Sequence, residues 1–162
     1  GVPRDNLPVL EKQDGSGALW EADSEWEAVT CYRNYDGAGK AILALGAPAS
    51  VAAEAAEAVK GTEDAADVYV VSGLPLPANE LDDLFKEYPG GIVTIEDNLI
   101  GCRASGIRGF ASIVSAAAYD ANACAEHVGI TDPRIAPSGG HYDIWEHFGI
   151  TKDAVVAALQ RL

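Results

Sequence analysis

From Lys40 onward the chain alternates short apolar runs with stretches whose apolar residues recur at helical spacing, and Gly or Pro separates them. Ala41 to Leu45 predicts a strand, Gly46 and Pro48 a turn, and Ser50 to Lys60 a helix with Val51, Ala55, Ala58 and Val59 inward. Asp67 to Val71 predicts the next strand, Gly73 to Pro77 a Pro-rich crossing, and Ala78 to Tyr88 a helix burying Leu81, Leu84 and Phe85. The third unit, Gly91 to Tyr119, is the most informative. Ile92, Val93 and Ile95 make a β-branched strand, and Glu96, Asp97 and Asn98 stand at its carboxyl end. Phe110, Ile113, Val114, Ala117 and Ala118 share one helical face.

A fourth strand is expected over Ala125 to Ile130, followed by a loop, Thr131 to His141, carrying Pro133, Pro137, Gly139 and Gly140. Two helices close the chain: one over Asp143 to Phe148, ended by Gly149, and one after the N-cap Thr151 that buries Val155, Leu159 and Leu162. Residues 1–39 are less regular. Ala18 to Ala22 and Trp26 to Tyr32 read as short strands, paired across Asp23-Ser24 or lying at a sheet edge. Strands separated by helices require a mainly parallel sheet with helices on both faces, a three-layer αβα sandwich of the α/β class. The division is a lead-in segment with edge strands at 1–39 and an α/β unit at 40–162, one domain overall.

At 162 residues the chain has room for one full core. Its apolar fraction of 48% with 22% charged residues is that of a folded globular protein. Eleven basic and 25 acidic side chains leave a net charge of −14, which repels phosphodiester backbones and anionic lipid, so neither nucleic acid nor a membrane is an expected partner. The carboxylates are spread along helices, as a solubility feature or an adaptation to salt or acid. Cys31, Cys102 and Cys124 form no C-x-x-C pair and read as reduced thiols. The sequence shows no leader-like apolar segment and no Asn-x-Ser/Thr acceptor, which points to the cytoplasm. It contains no methionine, and the reading is of a piece of a longer polypeptide.

Ligands of open parallel sheets lie at the carboxyl ends of the strands, which makes Glu96, Asp97 and Asn98 candidates, against the plainer reading of a solvated turn. Gly101 to Gly109 lacks a G-x-G-x-x-G fingerprint. Its helix start, with Arg103 and Arg108 nearby, offers amides to an anion; the alternative is a turn whose arginines face water or another subunit. His141, in the Gly-rich loop, is placed to touch a substrate, cap the next helix or meet a neighbouring subunit. Gly37-Ala-Gly-Lys-Ala41 is no phosphate loop, since position 34 is Asn and Lys40 precedes a strand. His127, His141 and His147 lack metal-ligand spacing, and no nucleophile stands out. The site set is therefore Glu96, Asp97, Asn98, Arg103, Arg108 and His141, as crevice or interface residues, with no catalytic, cofactor or metal residue assigned.

The collinear order of Arg4-Asp-Asn-Leu-Pro8-Val-Leu10, Ala41-Ile-Leu-Ala-Leu-Gly46-Ala, Asp67-Val-Tyr-Val-Val-Ser72, Ile92-Val-Thr-Ile-Glu96-Asp97, Gly106 to Gly109, Gly129-Ile-Thr-Asp-Pro133 and His147-Phe-Gly-Ile-Thr151 resembles the C-terminal domain of transketolase over nearly the full length. Deoxyxylulose phosphate synthases and the beta subunits of 2-oxoacid dehydrogenases look similar here. The resemblance implies a mixed five-stranded sheet with four parallel strands and one antiparallel. It also implies that thiamine diphosphate and Mg2+ belong to the parent enzyme, between its pyrophosphate-binding and pyrimidine-binding domains. This chain, which has no G-D-G metal motif, would then bind no cofactor by itself and be inactive alone. The parent would be a homodimer moving a two-carbon ketol unit between sugar phosphates, with this domain as structural and dimer support. A free-standing module holding a small ligand or regulator is the alternative from another class.

Overall fold

The apolar runs become the five strands of one mixed sheet in a computed structural model that describes residues 7–77, 79–102, 104–132 and 138–162. In chain order the elements are β1 (Val29–Arg33), β2 (Lys40–Leu45), α1 (Ala49–Val59), β3 (Ala66–Val71), α2 (Glu80–Glu87), β4 (Ile92–Leu99), β5 (Gly101–Cys102), β6 (Gly106–Ile107), α3 (Gly109–Ala121), β7 (Ala125–Ile130), α4 (His141–Phe148) and α5 (Lys152–Leu159). The main sheet runs β1-β3-β2-β4-β7, with β1 antiparallel to β3 and the other pairs parallel; β5 and β6 form a separate two-stranded ribbon.

Because β3 and β4 flank β2 on opposite sides, crossovers of one hand place α1 on one face and α2 and α3 on the other. Strand alternation divides the core accordingly. Ile42, Ala44, Val68, Val70, Val93 and Ile95 pack with α1, α5 and Trp145 of α4, while Ala41, Leu43, Val71 and Ile92 pack under Leu84, Phe85, Phe110 and Val114. Thr151 caps α5, its Oγ1 accepting from the Ala154 N–H at 3.2 Å, and Gly149 ends α4 at a φ of +73°.

Several expectations shift. Ala18 to Ala22 is no strand: Ala18 makes one isolated bridge to Glu11. The Trp26 to Tyr32 stretch forms β1 three residues later and pairs with β3, not across Asp23-Ser24, because the edge of a large apolar sheet buries more than a hairpin can. The buried face of α1 is Ala49, Ala52, Ala55, Ala56 and Val59, while Ala58 is exposed. In so alanine-rich a helix, side-chain size does not single out one face, and packing against α5 and the sheet decides it. On α3, Ala111 goes inside and Ile113 stays 43% exposed.

At the amino-terminal end of the sheet the buried carboxylate of Asp67 accepts the Tyr88 hydroxyl at 2.7 Å, the Asn34 amide at 3.0 Å and the Tyr35 N–H at 2.7 Å. These three hydrogen bonds offset the cost of burying the polar carboxyl group. The network ties the end of α2 and the segment after β1 to β3.

Candidate functional site

The chain leaves β2 toward β3 and leaves β4 in the opposite direction, toward β7, so the switch point of the sheet lies between β2 and β4, where Leu45 pairs with Glu96. β4 does not stop at Ile95. It runs on to Leu99, and between the pairs Ile95–Val128 and Leu99–Ile130 the residues Glu96, Asp97 and Asn98 stand opposite Gly129 alone. This bulge presses backbone onto Gly129, where a Cβ would sit 2.8 Å from Ile100 Cγ2 and 3.0 Å from the Glu96 carbonyl oxygen.

Ile92, Thr94 and Glu96 alternate onto the α3 face, and Glu96 is fully buried there. Its Oε1 accepts the Ala111 N–H at 2.8 Å and its Oε2 the Phe110 N–H at 3.3 Å. These are the second and third amides of α3, which a Ser or Asp N-cap ordinarily serves. The N-cap residue here is Arg108, whose side chain makes no such bond, so a carboxylate from the adjacent strand takes over and sets its charge against the positive end of the helix. Asn98 adds its amide to Glu96 Oε2 at 3.4 Å.

The other candidates are dispersed. Asp97 and Asn98 are exposed at the bulge. Arg103 lies outside the described residues. Arg108 is exposed, donates to the Ser105 carbonyl at 2.9 Å, and lines a cleft of about 370 Å³ with Leu99, Cys102, Ser105 and Asp132. His141 begins α4, its ring 3.9 Å from that of Tyr142 and 4.9 Å from that of Trp145, which belongs to the core on the other face of the sheet. Another cleft, of about 650 Å³, lies elsewhere, between Tyr32, Tyr35, Glu57 of α1 and Lys152.

Two groups escaped sequence reasoning. His127 bridges the layers: its Nδ1 is 2.8 Å from Thr94 Oγ1 and its Nε2 2.7 Å from Ser115 Oγ, and burial pushes its pKa down. Cys102, on the β5–β6 ribbon, has its thiol held below the ordinary range by hydrogen bonding to Ser105, whose Oγ lies 3.4 Å from Sγ. The His127 contacts join β4, β7 and α3 across the fold, whereas the Cys102–Ser105 contact is local to the turn between β5 and β6.

The described residues contain no group of His, Cys, Asp and Glu able to hold a metal ion, and the α3 amides suited to a phosphate are already engaged by Glu96. Among the described residues no helix is long and apolar enough to cross a membrane.

Over 91% of its length the chain matches the structure of a split-gene transketolase, an inactive β4 tetramer, with a TM-score of 0.70 and 25% identity. It has the fold of a transketolase C-terminal domain. The transketolase of Campylobacter jejuni matches 90% of the chain with a TM-score of 0.58 and 18% identity. A transketolase mutant from Pichia stipitis matches 98% with a TM-score of 0.59 and 20% identity. The chain spans 46% of the split-gene chain, 21% of the Campylobacter chain and 20% of the Pichia chain. No protein-family model matches it, and no curated protein does. The mixed sheet of this transketolase-like domain, with one antiparallel edge strand, is the one the sequence resemblance implied.

Proposed function

We propose that the chain is the C-terminal domain of a transketolase-like enzyme that transfers a two-carbon ketol unit between sugar phosphates, and that it gives structural and dimer support instead of catalytic groups. The observation that carries this reading is the likeness to a split-gene transketolase over 91% of the chain. The commitment of Glu96 to α3 supports it as well, because the acidic residue at the switch point serves the scaffold. In this reading thiamine diphosphate and Mg2+ are held by pyrophosphate-binding and pyrimidine-binding domains of the same cytoplasmic homodimer. The similar structure is that of an inactive assembly of one chain type, which by analogy makes the isolated chain a self-associating, inactive species.

The test is reconstitution. The chain is combined with cofactor-binding domains of a transketolase-like enzyme from the same genome, and ketol transfer from xylulose 5-phosphate is assayed with thiamine diphosphate and Mg2+ present. Activity in the combined material and none in the chain alone is the expected result. An assembled, cofactor-loaded dimer without ketol transfer rules the reading out.

A further inference from the structure

Between the start of α2 and the middle of α3 the surface opens into a groove of about 340 Å³ whose apolar wall is Pro75, Leu76, Leu81, Ile113 and Ala117. Exposed apolar residues also flank its Pro75 end in the chain. Leu74 beside it is 45% exposed, and Trp26, 72% exposed, lies over Gly73 so closely that a Cβ there would sit 2.7 Å from its ring. Large apolar side chains left together in water mark an interaction surface more often than isolated ones do.

Charge says what covers it. Asp82 and Asp120 line the groove and no basic residue does, whereas the other two clefts described carry Arg33 with Lys152 and Arg108. Glu80 and Asp83 add negative charge in the first turn of α2, and the one cation of that helix, Lys86, pairs with Asp83 at 2.7 Å and lies within the field of Asp82. A second copy of this chain docked by the same groove would set Asp82 and Asp120 against their own counterparts. We propose that the α2–α3 groove docks a protein segment that presents apolar anchors flanked by Lys or Arg. The apolar wall takes the anchors, and the basic flanks pair with Asp82 and Asp120, which supply orientation and on-rate. The proposal is independent of the ketol-transfer reading.

The probe is a synthetic amphipathic helix with leucines at i, i+3, i+4 and i+7 and lysines on either side, compared with the same peptide carrying glutamates for lysines. Binding to the intact chain is followed by the amide resonances of Leu81, Ile113 and Ala117. The lysine peptide is expected to shift them and the glutamate peptide to leave them unmoved. Asp82→Asn with Asp120→Asn, which keeps the groove's shape, should weaken binding about threefold to tenfold. Raising salt from about 50 mM to about 500 mM should weaken it further. Ile113→Lys, at an exposed position, should abolish it. Equal binding of the two peptides, no shift at the groove with either, or indifference to both Asp→Asn changes and salt overturns the proposal. So does a peptide-free dimer in sedimentation that Ile113→Lys dissolves, since the occupant would then be a second copy.

Discussion

A Cβ added to Gly109 would stand 2.8 Å from Glu96 Oε2 and 3.2 Å from Oε1, so the carboxylate that caps α3 occupies the space a side chain at the first helical position would need. Gly109 also has a φ of +65°, a conformation L side chains rarely adopt. The two residues are one device: a glycine lets the strand carboxylate reach the helix amides.

Gly109→Ala should therefore destabilise the chain by about 2 kcal/mol or more, from backbone strain and displacement of Glu96. At this chain length that is a fall in Tm of roughly 4–8 °C. Glu96→Ala should cost about 2–3 kcal/mol by leaving two buried amides without an acceptor, and Glu96→Gln, which still accepts, should recover part of it. Urea unfolding of the three variants checks this; wild-type stability in Gly109→Ala would refute the coupling.

The pairing of His127 with Thr94 and Ser115 predicts a pH dependence. Burial lowers the folded-state pKa, so the unfolded chain takes up the proton first as pH falls below its ordinary value of 6.5. Stability is complete above that value, declines as pH drops toward the folded-state pKa, and changes no further below it on this account. Unfolding free energies between pH 8 and pH 5 should show this step in wild type and lose it in His127→Gln. Identical pH profiles for the two proteins would remove His127 as its source.

With a net charge of −14, self-repulsion opposes the folded state at low ionic strength. Raising salt from about 0.01 M to about 1 M shortens the Debye length from about 30 Å to about 3 Å, and Tm should rise with it. A scanning-calorimetry series in NaCl measures the effect. A flat or falling Tm would mean that the carboxylates are too far apart to strain the fold.

The three cysteines are exposed but not equivalent. Hydrogen bonding to Ser105 lowers the Cys102 thiol, while partial desolvation at the sheet edge, then the charges of Asp67 and Glu87, raise that of Cys31. Because the thiolate is the reacting species, iodoacetamide at pH 7.5 should alkylate Cys102 before Cys31, and Ser105→Ala should slow Cys102 selectively. Peptide mapping after timed quenching distinguishes the sites. Faster labelling of Cys31 would contradict the assignment.

What the sequence determined by itself was the succession of elements: the runs at Ala41 to Leu45, Asp67 to Val71 and Ala125 to Ile130 are strands, and Thr151 and Gly149 bound helices, because β-branching, capping and left-handed turns act over a few residues. The collinear motifs carried the fold class for the same local reason. Tertiary structure decided everything that needed a partner far along the chain: which face of the alanine-rich α1 is buried, that the Trp26 stretch pairs with β3, and that Ile113 remains outside. It also decided the fate of Glu96. A glutamate at a strand end has the same local signature whether it meets solvent, a ligand or the amides of a helix beginning thirteen residues later, and only packing of α3 on β4 brings the Phe110 and Ala111 N–H groups to it.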